Sequence, residues 1–519
     1  MMTTASPERA LRTLFGHDEF RGGQAAAVRS VIERRDVLFM MATGGGKSLA
    51  YQLPTLMVRS ETPEAVTVVV SPLVSLMVDQ CTSLNRDFRV DAKTGLARTA
   101  AQAGPNDAPV ACFLGSAQPN YDAARQAAGG AFAFVFLTPE KLQIWTEQLR
   151  VLGPKLRLFA VDECHCISSH GLDFRPAYRG LECLRTTCPG VPILALTATA
   201  TEKVRVDVIA SLRMKSAVVH HSTFDRPNLR FHFAPRGDMM DSIGTLRASF
   251  RKWCGADGAA IVYVLKRDVA SSLARALATP QIGIAAEAYH AGMSTEARAE
   301  VAERFRTGST RCIVATISFG MGIDQANIRM VVHYGMSRSI DAYMQEAGRA
   351  GRDGRPAYCL CLYSDADVMT HAQLSGAKRA TPELRAMFDL TCDPNACRRV
   401  RILRHFREPY TAAPCVGGCD VCSRPPHYEA SLAALRDDKS ARLLLQAARD
   451  LQRGAVKQVE YLLGKGPRPA TGREQAKVYG SGRGHSVAWW RALHRKLVQY
   501  GLLERCMASN GGTYYKAAV

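Results

Sequence analysis

Short apolar, β-branched runs alternate with helix-length segments through the first half of the chain. Within residues 36–215 the predicted buried strands are Val37–Met41, Val66–Val70, Ala133–Leu137, Leu158–Val161 and Ile193–Leu196. A second alternating block, after FDRPN (224–228), predicts strands near Ala259–Val264, Ile284–Ala288, Cys312–Ala315, Met330–His333 and Tyr358–Tyr363. Such alternation is typical of parallel sheets covered by helices. The predicted fold class is therefore α/β, with two parallel-sheet lobes in succession.

The strand pattern stops near residue 375, where arginine and cysteine become more frequent. We predict four domains: a first lobe at 1–216, a second lobe at 217–375, a cysteine-rich module at 376–428 and a small helical domain at 429–519. A chain of 519 residues is long enough for several separate cores. Residues 95–111, which are rich in alanine, glycine and proline, are predicted to form an exposed loop.

The charge balance favours a polyanionic partner. The chain has 67 Lys and Arg residues against 47 Asp and Glu, a formal net charge of +20, which steers association with nucleic acid. A generally basic proteome is the alternative.

The sequence contains no secretory signal and no apolar run of about 18 residues, and its 16 cysteines are mostly scattered singly. We therefore expect a cytoplasmic protein with reduced thiols and no membrane segment.

Two motifs in the first block indicate nucleotide hydrolysis. The glycine-rich MATGGGKS ends in Lys47 and Ser48, which suit the β/γ-phosphates and Mg²⁺ at a helix N-terminus. The apolar run before VDECHC places Asp162 and Glu163 at the carboxyl end of a predicted strand. One carboxylate can hold the metal while the other polarises the attacking water. Together the motifs predict hydrolysis of ATP or GTP.

A series of ordered motifs resembles those of RecQ-type ATP-dependent DNA helicases, which are superfamily-two motors. The motifs are FGHDEFRGGQ, ATGGGKS, VSPLVSLMVDQ, TPEKL, DECHCIS, DFRP, LTATAT, FDRPN, YHAGM, ATISFGMGID and YMQEAGRAGRDG. The resemblance covers about residues 11–365 and implies two RecA-like lobes that use ATP and Mg²⁺. It also implies 3′ to 5′ translocation on single-stranded DNA and duplex unwinding in recombination and repair.

The resemblance assigns the nucleotide-binding residues of the first lobe. In the adenine-recognition motif, Gln24 would read the adenine edge through its amide, with His17 and Arg21 beside it. The predicted phosphate-loop residues are Thr43, Gly44, Gly45, Gly46, Lys47 and Ser48.

The resemblance also assigns catalytic and coupling residues. Asp162 would hold Mg²⁺ together with Ser48, Glu163 would activate water, and His165 would link the ATP state to the neighbouring loop. Thr197 and Thr199 of LTATAT would link the two lobes.

The stretch CISSHGLDFRPAYRG (166–180) resembles the aromatic-rich loop of the family, which contacts single-stranded DNA and reports it to the ATP site. Aromatic rings suit this task because every base offers a stacking face. The predicted DNA contacts are His170, Phe174 and Arg175, with Tyr178 also retained. His170 stands where the family has tryptophan.

In the second lobe, QEAGRAGRDG places Arg349 and Arg352 three residues apart, which predicts one face of a helical turn. By resemblance they are arginine fingers, a role worth about 10³–10⁵ in rate. Gln345 would contact the nucleotide or the coupling network. The preceding coupling motif contributes Gly320, Gly322 and Asp324.

Four cysteines near residue 400 have metal-ligand spacing. Cys397, Cys415, Cys419 and Cys422 form the pattern C-x17-C-x3-C-x2-C, which suits a structural Zn²⁺ site and resembles the zinc-binding module of RecQ proteins. Cys392 as first ligand, or uncoordinated cysteines, are the alternatives.

A basic helix is predicted just after the first of these cysteines. Its stripe consists of Arg398, Arg399, Arg401, Arg404 and Arg407. We expect this stripe, with Arg398 and Arg399 foremost, to contact DNA phosphates; a solvated face is the alternative.

The C-terminal region resembles the winged helix of the family, a duplex-DNA binder. The candidate backbone contacts are Lys477, Arg483, His485 and Ser486. The residues predicted to be core in the following helix are Trp489, Leu493, Leu497 and Tyr500. Asn510-Gly511 between extended runs predicts a hairpin wing. We expect the further C-terminal helical domain of many RecQ proteins, the HRDC domain, to be absent.

Two other functions stay open at this point: an RNA helicase, or a DNA-structure-binding protein with a weak or uncoupled ATPase. The cysteine module and winged helix favour DNA over RNA. The intact motor residues, with Lys47 and Glu163 among them, favour an enzyme. The expected partners are single-stranded and duplex DNA, with a single-stranded-DNA-binding protein as a candidate protein partner and a monomer favoured.

Overall fold

The computed structural model describes residues 6–115, 122–168, 174–198, 200–316, 325–376, 380–411, 415–424, 427–465, 478–508 and 512–518. The chain divides into two compact units, one extending to Phe224 and the other comprising the described residues from Asp225 onward. Among the described helices, none combines the length and the apolar character needed to span a bilayer.

The described residues of the first unit form ten strands. They are β1 Val37–Met40, β2 Val66–Val70, β3 Phe88–Val90, β4 Ala97–Thr99, β5 Ala108–Pro109, β6 Ala111–Leu114, β7 Phe134–Leu137, β8 Leu156–Val161, β9 Ile193–Thr197 and β10 Val218–His221. Seven form a parallel sheet in the order β10-β1-β9-β8-β2-β7-β6, and three form a small antiparallel sheet in the order β4-β3-β5. The parallel strands predicted from apolar runs are thereby confirmed.

Helices cover both faces of the large sheet. They are α1 Pro7–Phe15, α2 Gln24–Ile32, α3 Leu49–Arg59, α4 Val74–Asp87, α5 Ala123–Ala128, α6 Pro139–Ile144, α7 Thr146–Leu152, α8 Pro176–Arg179, α9 Cys183–Thr187 and α10 Glu202–Ser211. Every residue of β2 is buried, because a parallel sheet packed on both faces needs apolar side chains on both sides. The continuous VTVVV run is therefore a central strand.

Two sequence predictions for the first unit need correction. Residues 95–111 are not simply a loop, since they contribute β4 and β5 to the small sheet and the first residue of β6. The domain boundary predicted at 216 falls before β10, which pairs in parallel with β1. The pairing keeps β10 in the first unit, which continues to Phe224.

The second unit begins with another parallel sheet. Its strands are β11 Leu229–Pro235, β12 Ala259–Val264, β13 Ala286–Tyr289, β14 Cys312–Ala315, β15 Ile328–Tyr334 and β16 Ala357–Tyr363, in the order β11-β16-β15-β12-β14-β13. The helices of this part are α11 Met239–Cys254, α12 Arg267–Leu277, α13 Thr295–Thr307, α14 Ile340–Ala347 and α15 Ala366–Ser375. The two α/β lobes predicted from the sequence are thus present.

Helices dominate the rest of the second unit. They are α16 Pro382–Cys392, α17 Arg398–His405, α18 Tyr428–Asp437, α19 Lys439–Leu451, α20 Ala455–Leu462 and α21 Val487–Gln499. Two antiparallel strands follow, β17 Leu503–Met507 and β18 Thr513–Ala517. They are the arms of the predicted hairpin, whose Asn510-Gly511 tip lies outside the described residues.

A buried arginine joins the C-terminal hairpin to the α/β part of this unit. The fully buried side chain of Arg505, on β17, donates to the Ser364 carbonyl at 2.6 Å and to Asp365 Oδ1 at 3.1 Å. Tyr515 on β18 donates its hydroxyl to the same Asp365 oxygen at 2.5 Å. Charge-assisted hydrogen bonds of this kind, shielded from water, fix the hairpin against the end of β16.

The core of the C-terminal helical domain forms around Trp490. This side chain is 1% exposed, and its indole N–H donates to the Gly482 carbonyl at 2.8 Å. Leu497, predicted to be core, is fully buried, but Trp489 is 39% exposed. The prediction of Trp489 as a core residue is therefore wrong, because Trp490, and not Trp489, lies on the face of α21 that packs into the core.

We expect the Trp490→Ala variant to lose about 3–5 kcal/mol of unfolding free energy, the usual cost of truncating a buried aromatic side chain. The Trp489→Ala variant should lose less than about 1 kcal/mol, as exposed positions generally do. Denaturant unfolding followed by circular dichroism measures both. Equal losses in the two variants would contradict this assignment of the core.

Candidate nucleotide, arginine-loop and zinc sites

The glycine-rich loop, residues 41–48, connects β1 to the N-terminus of α3. Gly44 and Gly46 have φ angles of +80° and +90°, which residues with a β-carbon rarely adopt. A β-carbon on Gly46 would also lie 2.7 Å from Gln24 Nε2. Lys47 Nζ donates to the Met41 carbonyl across the loop at 3.1 Å. This is the geometry of a phosphate cradle at a helix N-terminus.

The Gln24 side chain, which precedes the loop in the chain, is hydrogen-bonded to it. Its Nε2 donates to the carbonyls of Gly45 and Gly46 at 3.1 and 2.9 Å, while Oε1 accepts the backbone N–H of Arg21 at 2.8 Å. Gln24 is 3% exposed, whereas His17 and Arg21 are exposed. The predicted adenine-reading residue therefore adjoins the phosphate loop, and its role toward adenine stays a prediction.

A glutamine that the sequence analysis did not single out contacts the predicted Mg²⁺ ligand. Gln80 Nε2 donates to Ser48 Oγ at 3.3 Å, and the buried Tyr51 hydroxyl donates to Gln80 Oε1 at 2.8 Å. Through these bonds Gln80, which lies on α4, orients the Ser48 hydroxyl. The signal was present, since Gln80 ends the motif VSPLVSLMVDQ.

The acidic pair follows β8, as predicted. Burial, and after it the charge of Glu163, raises the pKa of Asp162 to about 7, against the opposing charge of Lys47. Because Lys47 acts on Asp162, the phosphate loop and the acidic pair belong to one site. Glu163 adopts a left-handed backbone conformation with φ +48°, which is uncommon for a residue other than glycine.

His165 connects the acidic pair to β9, which lies between β1 and β8 in the sheet. The His165 side chain is buried, with Nδ1 3.0 Å from Thr197 Oγ1 and 3.3 Å from Glu163 Oε2. Glu163, His165 and Thr197, to which the resemblance gives separate roles, are thus adjacent. The intervening Cys164 is fully buried in the apolar core; Thr199 lies outside the described residues.

Of the residues singled out in the described part of the predicted DNA loop, one is exposed to solvent and two are hydrogen-bonded to the rest of the first unit. Phe174 is 42% exposed. Arg175 donates to the Pro72 carbonyl at 2.6 Å, and the buried Tyr178 donates its hydroxyl to the Asp162 carbonyl at 3.0 Å. The loop is therefore tied directly to the acidic motif. His170 lies outside the described residues.

The predicted arginine fingers occupy a turn, not a helix. Helix α14 ends at Ala347, so the prediction that Arg349 and Arg352 share a helical face is wrong. Gly351, with φ +57°, bends the chain between them. Gln345 lies in the last turn of α14. Gly320, Gly322 and Asp324 lie outside the described residues.

Arg349 lies beside Tyr263 at the end of β12. Arg349 is 6% exposed. Burial raises the pKa of the Tyr263 hydroxyl to about 12, even though the positive charge of Arg349 acts to lower it.

Residues of the FDRPN motif (224–228) hold the turn at residues 348–352, called the arginine loop, in a role that the sequence did not reveal. The Arg226 guanidinium donates to the carbonyls of Gly348 and Ala350, both at 3.1 Å, and of Gly351 at 2.7 Å. Asn228 Nδ2 donates to the Gly351 carbonyl at 2.8 Å. A rigid guanidinium with five donors can satisfy several carbonyls of an irregular turn at once.

The four predicted zinc ligands form one cluster. The Sγ atoms of Cys397, Cys415, Cys419 and Cys422 all lie within 4.8 Å of one another. The Cys397–Cys419 separation is 3.9 Å, close to the roughly 3.8 Å expected for two thiolates bound tetrahedrally to Zn²⁺ at ~2.3 Å. The donor set fits zinc, and Cys392 is not part of it.

The cysteine loop packs against the start of the second sheet. Cys419 forms an isolated parallel bridge with Phe231 of β11. Gly417 has φ +79°, and a β-carbon there would lie 2.1 Å from the Pro227 carbonyl. Only glycine allows this close approach to the FDRPN motif.

The two arginines expected to contact DNA phosphates from α17 are buried instead. Arg398 is 3% exposed and forms a bidentate ion pair with both carboxylate oxygens of Asp420. Arg399 is 1% exposed, pairs with Asp225, and donates to the Leu229 carbonyl at 2.6 Å. The expectation is corrected, because buried guanidinium groups with carboxylate and carbonyl partners are not available to phosphates.

The other arginines of the predicted basic stripe are less buried than Arg398 and Arg399. Arg404 and Arg407 are exposed, while Arg401 pairs with Asp393.

The predicted contacts of the winged helix lie around the start of α21. Arg483, His485 and Ser486 are exposed. Ser486 Oγ also accepts the N–H of Trp489 at 3.2 Å, which caps the helix. Lys477 lies outside the described residues.

Family comparisons agree with this arrangement. Residues 21–206 match the DEAD/DEAH box helicase model, residues 246–354 the helicase conserved C-terminal domain, and residues 365–423 the RecQ zinc-binding domain. Among solved structures, the Mycobacterium smegmatis helicase Lhr bound to ssDNA and AMP-PNP has a TM-score of 0.55 at 21% identity, covering 90% of this chain and 66% of that one. The DUF1998 helicase MrfA bound to DNA also gives a TM-score of 0.55, at 18% identity over 84% of this chain and 61% of that one. The fold and the matched domains define a two-lobed helicase.

The curated relatives identify the family within this class. The chain is 32% identical to the ATP-dependent DNA helicase RecQ of Pasteurella multocida, over 95% of this chain and 74% of that protein. It is also 32% identical to the RecQ of Haemophilus influenzae, over 96% of this chain and 76% of that protein. The chain belongs to the RecQ family.

We expect Arg226→Ala to lower kcat for ATP hydrolysis roughly 10- to 100-fold, a part of the ~10³–10⁵ that a well-placed arginine contributes. KM for ATP should change little, because Arg226 acts on the position of Arg349 and Arg352. Steady-state ATPase assays with saturating single-stranded DNA measure both constants. Arg230→Ala, a nearby arginine outside this network, is the control. A kcat within twofold of wild type would exclude this role for Arg226.

We expect the purified protein to contain one zinc ion per chain by elemental analysis. Cys419→Ser should remove it and lower the thermal midpoint, because Cys419 joins the cysteine loop to β11. Structural zinc contributes about 10–16 kcal/mol in small zinc peptides, so its loss should release the module. Cys392→Ser should retain the metal; zinc loss from that variant would restore Cys392 as a ligand.

Proposed function

We propose that this chain is an ATP-dependent DNA helicase that moves 3′ to 5′ along single strands and unwinds duplex DNA. One observation carries the proposal: the first unit brings the phosphate loop, the acidic pair and the His165–Thr197 contact into one site. A nucleotide-binding module without hydrolysis would need the phosphate loop alone. The adjacent carboxylates and their link to β9 are what a motor requires.

In this proposal each residue of the site has a distinct role in hydrolysis. Lys47 and the loop N–H groups bind the β- and γ-phosphates, and Glu163 orients the attacking water. Mg²⁺, held by Ser48 and Asp162, neutralises charge on the phosphates. Arg349 and Arg352 act on the γ-phosphate, as the family resemblance implies.

Coupling to DNA would use the contacts around His165. The ring of His165 contacts both Glu163 and Thr197, so a change at the water-activating carboxylate reaches β9 directly. Tyr178 ties the DNA loop to the Asp162 carbonyl. Phe174, the exposed aromatic of that loop, is the residue proposed to stack on a base.

DNA is the proposed polyanionic partner of the +20 chain. We propose that single-stranded DNA engages the motor and that duplex DNA engages the winged helix, with recombination and repair as the setting. A cytoplasmic location, a monomeric state and a single-stranded-DNA-binding protein as partner belong to the same proposal.

We expect DNA oligonucleotides to stimulate ATP hydrolysis more strongly than RNA of the same sequence, and Lys47→Ala to abolish the stimulated rate. Lys203→Ala, an exposed lysine on α10, is the matched control and should behave as wild type. Phosphate release assays measure the rates. Stronger stimulation by RNA would favour an RNA helicase instead.

We expect a duplex with a 3′ single-stranded tail to be unwound with ATP, and a 5′-tailed duplex to be unwound poorly. Neither should open with a non-hydrolysable analogue. Strand displacement followed by fluorescence measures all three reactions. ATP hydrolysis without strand displacement would indicate a DNA-structure-binding protein with an uncoupled ATPase.

A further inference from the structure

Two aromatic rings stack on each other at the exposed start of α21. The centroids of the His485 and Trp489 rings lie 3.6 Å apart and their planes are tilted by only 10°. Trp489 is 39% exposed, and His485 is exposed as well. The Trp489 indole, which the core does not use, lies flat against the His485 imidazole, and the two rings form a stacking platform.

The surrounding structure holds this platform in place. Trp490 is buried beneath it, perpendicular to Trp489 at a centroid distance of 5.1 Å. Ser486 caps the helix through the N–H of Trp489 itself. The rings are therefore ordered before any ligand arrives, which reduces the entropic cost of stacking on them.

The charges around the platform indicate what it binds. Arg483 and Arg491 lie within the same stretch of chain and are exposed. Neither forms an ion pair with a described carboxylate, whereas Arg495, on the same helix, pairs with Asp241. Flat rings flanked by uncompensated cations match a ligand that combines a flat ring with nearby negative charge. A nucleotide of DNA has this combination, with the base for the rings and the phosphates for the arginines.

We propose that the platform stacks on one base at the junction between single-stranded and duplex DNA, with Arg483 and Arg491 on the adjoining phosphates. This inference rests on the proposed helicase function and adds the residues that recognise the junction. Interior bases of a duplex are covered on both faces by their neighbours. Only an unpaired base or the terminal pair has a free face, and a junction presents one beside a duplex backbone.

Binding of a labelled 3′-tailed duplex, measured by fluorescence anisotropy without nucleotide, tests the proposal. We expect Trp489→Ala to weaken binding roughly tenfold, within the range found for removing a base-stacking aromatic. Trp489→Phe, which keeps a ring, should lose less than about threefold. Ile144→Ala removes an exposed apolar side chain from the first unit and should bind as wild type.

A second signal reports the stacking directly. A 2-aminopurine placed at the first unpaired position should be quenched by wild type and by Trp489→Phe, and much less by Trp489→Ala. Affinity of Trp489→Ala within twofold of wild type would overturn the proposal, as would unchanged quenching or equal losses in the alanine and phenylalanine variants. A wild-type chain without DNA-stimulated ATP hydrolysis would contradict the motor assignment alone, since these binding measurements do not depend on hydrolysis.

Discussion

Irregular backbone near the proposed phosphate chemistry must have its polar groups satisfied, and this constraint shapes both lobes. A tight loop cannot bond its own carbonyls as a helix does, and leaving them unpaired inside a protein is costly. In the first lobe Gln24 supplies the donors to Gly45 and Gly46. In the second lobe Arg226 supplies them to Gly348 and Gly351. Each loop is therefore held by a side chain from a distant segment.

The same constraint gives the zinc module a structural connection to the arginine loop. Arg399 donates to the Arg226 carbonyl at 3.0 Å and pairs with Asp225, so it fixes the segment from which Arg226 acts. Gly417 packs on the neighbouring Pro227 carbonyl. Metal ligands, FDRPN and arginine loop thus form one continuous set of contacts within the second unit. Because buried ion pairs are costly to break from one side, a change in the module reaches the arginine loop through rigid groups.

The sequence predicted the features that depend on chain-local patterns. Continuous apolar runs identified the parallel strands, and the position of Asp162 after such a run placed it at a strand end. The predictions failed where a partner distant in the chain decides the outcome. Arg399 was predicted to contact DNA phosphates, because its actual partners, Asp225 and Leu229, lie far from it in sequence. Similarly, spacing alone could not distinguish which of two adjacent tryptophans faces inward, since the inward direction of α21 is set by the helices packed against it.

Gln24 shows how one amide serves two demands. The resemblance gives it the adenine edge, which requires one donor and one acceptor. Both hydrogens of Nε2 are already directed at Gly45 and Gly46, and Oε1 accepts from Arg21. Reading adenine therefore requires at least one loop carbonyl to lose its donor. Phosphate bound to the N–H groups of the loop would stabilise a loop conformation in which these carbonyls turn away from Gln24. By thermodynamic linkage, that conformation makes the Gln24 amide more available to the base. The two ends of one nucleotide would then favour each other's binding through a single side chain.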